Sequence, residues 1–88
     1  MGRYFFHLHY GEYTPDVEGS EFESAQEARD SALRYLSELL RDQGHRFWEP
    51  SQVTITVTDE WNLMLWQLDL KGMASPSFAS AGGYDSEK

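Results

Sequence analysis

His7 and His9 are the residues of this 88-residue chain whose spacing best suits joint chemistry. They stand two apart in the run Arg-Tyr-Phe-Phe-His-Leu-His-Tyr at residues 3–10. On an extended chain, side chains at i and i+2 project from one face. Two imidazoles so placed can share a metal ion, with His45 or Glu12 to complete the set. The plainer reading puts both histidines on the open or partner-facing side of a sheet. A second group, Asp16, Glu18 and Glu21, could offer carboxylate oxygens to a hard cation. It lacks the twelve-residue calcium-loop pattern, and a turn-forming Asp16 with solvated glutamates explains it as well. A third is aromatic: Phe47, Trp48, Trp61 and Trp66. Large rings concentrate at interfaces, where one buried ring can dominate binding. Trp66 is read as core, and Trp61, on a turn, as a contact surface.

Covalent chemistry has little to work with. The chain has no cysteine, hence no thiol nucleophile, disulfide framework or Cys-ligated zinc. Ser, His and Asp occur, but a triad is defined by geometry and not by presence. Gly82-Gly83 does not open a helix, so no phosphate-binding loop is read there. No catalytic residue and no cofactor are expected, and the chain is not read as an enzyme.

The balance of 7 Lys+Arg against 15 Asp+Glu gives a formal charge of −8. That argues against a phosphate-backbone footprint, so no nucleic-acid partner is expected. No apolar stretch approaches the length of a membrane span, and no secretory signal is visible. Absence of cysteine fits a reducing cytoplasm. With 40% hydrophobic and 15% aromatic residues the chain can fold. A domain this small has a thin stability margin. Dimerisation would add buried area without lengthening the chain.

The elements that must hold these groups follow from periodicity. Residues 3–10 alternate as a half-buried strand, with Phe6 and Leu8 toward the core and Phe5, His7 and His9 away from it. Residues 11–19 are rich in turn formers, and Ser20, Glu21 and Phe22 can pair back as a second strand. Ser24 followed by Glu27 matches a capping box. Beyond it, Ala25, Ala28, Ala32, Tyr35, Leu36, Leu39 and Leu40 form one apolar helical stripe, which Gly44 ends. In the connector at 45–51, Phe47 and Trp48 should be pinned to the body. Residues 52–58 alternate Val53, Ile55 and Val57 with Thr54, Thr56 and Thr58. A turn leads to a partner strand at 63–70, with Met64, Trp66, Leu68 and Leu70 on one face and Leu63, Leu65, Gln67 and Asp69 on the other.

Several of these segments resemble a known family. Arg3-Tyr4-Phe5-Phe6-His7-Leu8, then Asp16-Val17-Glu18-Gly19-Ser20-Glu21-Phe22, then an Ala-spaced helix, then Val57-Thr58-Asp59-Glu60, are similar to the RYFFH-type domain of unknown function of short bacterial proteins. The resemblance spans roughly residues 3–68, and the Asp-x-Glu-Gly element is its most specific part. The family usually has Gly in the last hairpin turn, where this chain has Trp61-Asn62. Asn62 can take positive φ in its place. No activity is implied. The strand–strand–helix opening also resembles, at the level of fold alone, antitoxin domains of the HicB type.

The expected architecture is therefore α+β, in the order β-β-α-β-β: an antiparallel sheet packed on one amphipathic helix. Residues 1–70 form the domain and residues 71–88 a flexible tail. The core should hold Phe6, Leu8, Ala28, Ala32, Leu36, Leu39, Val53, Ile55, Val57, Trp66 and Leu68. The far sheet face, with Phe5, His7, Leu63 and Leu65, is expected to meet a partner, most simply a second copy. Phe5, Trp61, Leu63 and Leu65 are the expected contact residues, and His7 and His9 the weaker metal candidates. The leading functional expectation is a small acidic interaction module, working as a homodimer or through a protein partner. The alternatives are an antitoxin-like or regulatory domain that masks a basic partner, and a metal-binding protein.

Overall fold

The computed structural model describes residues 2–80. Five antiparallel strands form one sheet: β1 (Gly2–Tyr10), β2 (Glu12–Thr14), β3 (Ser20–Phe22), β4 (Gln52–Asp59) and β5 (Met64–Lys71). One long helix, α1 (Ala25–Gln43), crosses between β3 and β4, and a short helix, α2 (Pro76–Ser80), follows β5. The α+β expectation holds, with one strand more than expected. β2 has three residues, all exposed, so it carries no apolar alternation to betray it. Of the segment expected to be a flexible tail, Lys71 ends β5, Pro76–Ser80 form α2, and residues 81–88 lie outside the described residues.

Strand order is β2-β1-β4-β5, and β3 also pairs with β1. β2 and β3 share the same edge of β1 in tandem: β2 opposite Leu8, His9 and Tyr10, β3 opposite Gly2, Arg3 and Tyr4. β1 and β4 pair from Tyr4↔Asp59 to His9↔Thr54. β5 pairs with β4 and forms the opposite edge of the sheet.

α1 starts where the capping box predicts. Ser24 Oγ accepts the Glu27 N–H at 3.1 Å, satisfying one of the orphan donors of the first turn. Glu27 Oε1 accepts the N–H of Glu23 at 2.9 Å, one residue earlier than a standard box. Gly44 follows the last helical residue, yet its φ is −66°, so the chain tightens into a 3-10 turn at Gly44–Arg46 instead of reversing hand. The small residues Ala28 and Ala32 are fully buried and bring the helix close to the sheet. α1 lies over β1, β3 and β4. Val53, Ile55 and Val57 of β4 are fully buried beneath it. Phe6, Leu8, Leu36, Trp66 and Leu68 pack around that centre as expected. Tyr10 adds itself to the core, its hydroxyl donating to the Gln43 carbonyl at 2.7 Å while Arg46 stacks on its ring.

The connector is pinned as expected. Phe47 is buried, and Trp48 meets it edge-on, ring centroids 5.2 Å apart. Both rings close on Gly72, where an added Cβ would lie 2.5 Å from Trp48 and 2.9 Å from Phe47. The Gly72 N–H donates to the Ser51 carbonyl at 2.9 Å, so the backbone cannot withdraw without losing that bond. Trp48 is exposed enough to swing aside; Phe47 is not. Gly72→Ala is expected to cost about 1–2 kcal/mol through overpacking. A thermal melt with tryptophan fluorescence as the probe will show it as a lowered midpoint, and an unchanged midpoint would mean that the connector is loosely held.

Candidate functional site

The sheet offers two places where side chains converge. The first lies on the edge of β1 between β2 and β3. Residues 5–7 of that edge have no strand partner, so the Phe6 N–H needs another acceptor. Asp16 supplies it. Its Oδ2 accepts from Phe6 N at 3.1 Å, and its Oδ1 accepts from Glu18 N at 3.2 Å and Gly19 N at 3.0 Å. The Asp16 N–H in turn donates to His7 Nδ1 at 3.1 Å. With Nδ1 accepting, the proton of a neutral ring sits on Nε2, 3.0 Å from Thr58 Oγ1, and donates to it. Burial alone would raise the Asp16 carboxyl. The three backbone N–H bonds outweigh it and hold the carboxyl below the ordinary carboxylate range. Tyr35, across the groove, is pushed up by burial and by the Asp16 charge.

Gly19 makes this arrangement possible. Its φ is +72°, and a Cβ there would stand 2.8 Å from the Phe5 ring and 2.9 Å from the Tyr4 carbonyl oxygen. Arg3 clamps the same loop, donating to the Glu18 carbonyl at 2.8 Å and pairing with Glu21 at 3.3 Å. The Asp-x-Glu-Gly element thus acts as a lock. Asp16 closes the gap in the strand edge, Glu18 offers its backbone to Arg3, and Gly19 lets the loop pass against β1.

This geometry bears on the ligand candidates. Both nitrogens of His7 are occupied within the chain. The exposed His9 meets Tyr13 edge-on at 5.7 Å. Asp16 spends its oxygens on backbone, and Glu21 is turned to Arg3. Among the described residues no group of three or more His, Asp or Glu is placed to hold a metal ion. The rest of the open face is a mutually bonded polar lattice. Asp69 accepts from Thr54 at 2.7 Å and from Gln52 at 2.9 Å, and Gln67 donates to Thr56 at 2.9 Å. The two donors hold the Asp69 carboxyl below its usual range.

The second place is the β4–β5 hairpin and the outer edge of β5. Asp59 ties the turn, its Oδ1 accepting from the N–H groups of Trp61 and Leu63, each at 2.9 Å. Asn62 takes φ +65°, as expected of a Gly substitute. The turn holds Trp61 78% exposed and Leu63 62% exposed. Leu63 stands outside the strand, and the pairing shifts between Val57↔Trp66 and Thr58↔Met64. That bulge leaves Leu65 without an opposite residue and carries Met64 to the Thr58 face. The expected grouping of Met64 with Trp66, Leu68 and Leu70 is therefore corrected. A strict period of two cannot foresee an inserted residue.

Beyond the bulge, the helix side of β5 is incompletely covered. Trp66 and Leu68 are half-buried, and Leu70 is 39% exposed. The buried Trp66 Nε1 has no acceptor among the described residues. The β5 edge and hairpin tip thus gather five of the exposed large apolar side chains, Trp61, Leu63, Met64, Leu65 and Leu70, and the open face around His7 is more polar than expected. Among the expected contact residues, Trp61, Leu63 and Leu65 fall in or beside this hairpin, whereas Phe5 stacks with His7 on the open face.

Residues 3–71 match the family model of a domain of unknown function, DUF6894. No curated protein and no solved structure matches the chain. No helix among the described residues is long and apolar enough to cross a membrane.

Proposed function

This chain belongs to the DUF6894 family of domains of unknown function, and we propose that it serves as a small acidic protein-interaction module of the cytoplasm, binding rather than catalysing. It works as a homodimer or through a protein partner, and its contact surface is the outer edge of β5 with the apolar residues beside it. One observation carries this reading: the two edges of the sheet are built differently. The β1 edge is closed by two three-residue strands, with Pro15 and the Asp16 lock between them. β5 runs eight residues, and among the described residues no strand protects it along 66–70 while its helix-side residues Trp66, Leu68 and Leu70 are only partly covered. Proteins usually blunt such edges with charge, proline or short length, because an open strand is a template for another. An edge left long and apolar is suited to strand addition by a partner.

Leu70→Lys tests it. A charge at the rim of the uncovered stripe should weaken association at least tenfold while leaving the fold's melting midpoint within a few degrees. Tagged chain, co-expressed with untagged chain in its host, should retain a stoichiometric companion, either a second copy or another protein, and the variant should lose it. A wild-type chain that retains neither would refute the reading.

The antitoxin-like alternative has its own support in the charge of −8, most of it in the segment from Glu12 to Glu23, which has five carboxylates and no base, rather than on β5. A basic companion that survives Leu70→Lys and is released by salt would favour it.

A further inference from the structure

We infer that the occupant of the β5 edge is a second copy of this chain, paired antiparallel about a two-fold axis normal to the sheet that passes midway between Leu68 and its own copy. This rests on the reading of β5 as the contact edge. Three observations lead to it.

The first is charge. The chain carries −8, yet β5 holds one acidic and one basic residue, Asp69 and Lys71. A basic partner would be drawn to the segment from Glu12 to Glu23 and to the Asp59–Glu60 turn, where acidic residues stand without bases. A nearly neutral, apolar strand is where two acidic copies can meet with least repulsion.

The second is register. Trp66 and Leu68 face the helix side opposite Val57 and Ile55, while Gln67 and Asp69 face the other side opposite Thr56 and Thr54. Residues directly opposite in an antiparallel ladder share a face. A two-fold normal to the sheet must therefore set one residue directly opposite its own copy. The middle of Met64–Lys71 leaves Gln67 and Leu68 as the choices. An axis at Gln67 sets Leu70 against Met64, which the bulge has carried to the other face. An axis at Leu68 sets Trp66 against Leu70, Leu68 against Leu68 and Gln67 against Asp69. No like charges then face each other, and the apolar stripes of the two copies become continuous.

The third is size. A domain of this length buries only about 60–65% of its unfolded surface alone, less than a larger domain does. Pairing at β5 joins two sheets into one, with both helices on the same side, and covers the flank that α1 leaves open.

The absence of cysteine from the chain permits a direct test. Leu68→Cys in the full-length protein, under mild oxidation, should form a disulfide-linked dimer, because directly opposite Cβ atoms lie about 4.5–5.5 Å apart. Gln67→Cys should cross-link at least tenfold more slowly, since its own copy is displaced by two residues in the partner. Light scattering of the unmodified chain across a dilution series should give twice 10.2 kDa, with tighter association at 0.5 M than at 0.05 M salt, as repulsion is screened. Equal cross-linking at both positions, or faster cross-linking at Gln67→Cys, would overturn the register. A monomeric mass at every concentration would overturn the second copy itself. The strand-edge reading would then be judged separately, by whether another protein co-purifies and is lost in Leu70→Lys.

Discussion

Gly19→Ala should destabilise the fold by about 2–4 kcal/mol, more than any ordinary surface change, from a loop residue far from the centre of the core. Two costs act together. The backbone at Gly19 has φ +72°, where an L side chain is strained. The new Cβ would also stand 2.8 Å from the Phe5 ring, 2.9 Å from the Tyr4 carbonyl oxygen and 3.0 Å from Arg3 Cγ. The carbonyl belongs to β1, which is paired on both sides at Tyr4, so it cannot retreat. In a domain of this size each kcal/mol moves the melting midpoint by about 4–8 °C, so a fall of roughly 8–30 °C is expected. Gly19→Asn separates the two costs. Asn tolerates positive φ, so a purely conformational penalty would be largely relieved. The Cβ contact would remain, and the variant should stay close to Ala. A Gly19→Asn protein that melts near the wild type would show that the close approach to β1 does not hold in solution.

How much of this was legible beforehand depends on the range of the interactions. Strand alternation at Val53, Ile55 and Val57 and the stripe through Ala28, Ala32 and Leu39 are local patterns, and they located the core. The Ser24–Glu27 cap is equally local and placed the start of α1. β2 was not legible, because three exposed residues stabilised by pairing to β1 leave no periodic trace. Nor was the bulge at Leu65, which depends on how β5 meets β4 after a turn tied by Asp59. The role of Asp16 lay between these cases. An Asp before Gly in a turn-rich segment announces side-chain bonds to nearby N–H groups, and Glu18 and Gly19 are such neighbours. That the same carboxylate also caps Phe6, ten residues earlier on a strand edge, requires knowing where β2 and β3 stop. His7 shows the same limit. Its spacing from His9 invited a metal, but its nitrogens answer to Asp16 and Thr58, nine and fifty-one residues away. The proposed contact surface differs from the expected one for a related reason: bonds among Gln52, Thr54 and Asp69 satisfy the open face internally, and helix placement, not strand pattern, leaves the flank of β5 partly uncovered.

Asp16→Asn should cost about 2 kcal/mol at neutral pH and flatten the acid limb of the stability curve. The substitution keeps the shape of the side chain and replaces one acceptor with a donor. The carboxylate takes three backbone N–H groups, from Phe6, Glu18 and Gly19. An amide can serve the last two through its oxygen, but its NH2 then faces the Phe6 N–H. A part-buried donor is left without an acceptor, and hydrogen bonds to a charged group are lost; each such loss is worth about 1.5–3 kcal/mol. The pH dependence follows from linkage. Burial pushes the Asp16 carboxyl up, but the three backbone bonds outweigh it, so its folded value lies below the unfolded one of about 3.9. Its contribution is therefore fully present above the unfolded value and is lost as pH falls through the folded one. The wild type should thus lose stability between about pH 5 and pH 2 more steeply than Asp16→Asn, and the two curves should converge in acid. Asp69, also held low by Gln52 and Thr54, leaves a residual slope in the variant. Adding Asp69→Asn should remove part of that slope without restoring the loss at neutral pH. Urea unfolding followed by tryptophan fluorescence at half-unit pH steps measures all three curves. Parallel acid limbs for wild type and Asp16→Asn would mean that the carboxylate does not close the β1 edge, and the account of the Asp-x-Glu-Gly element as a lock would fall with it.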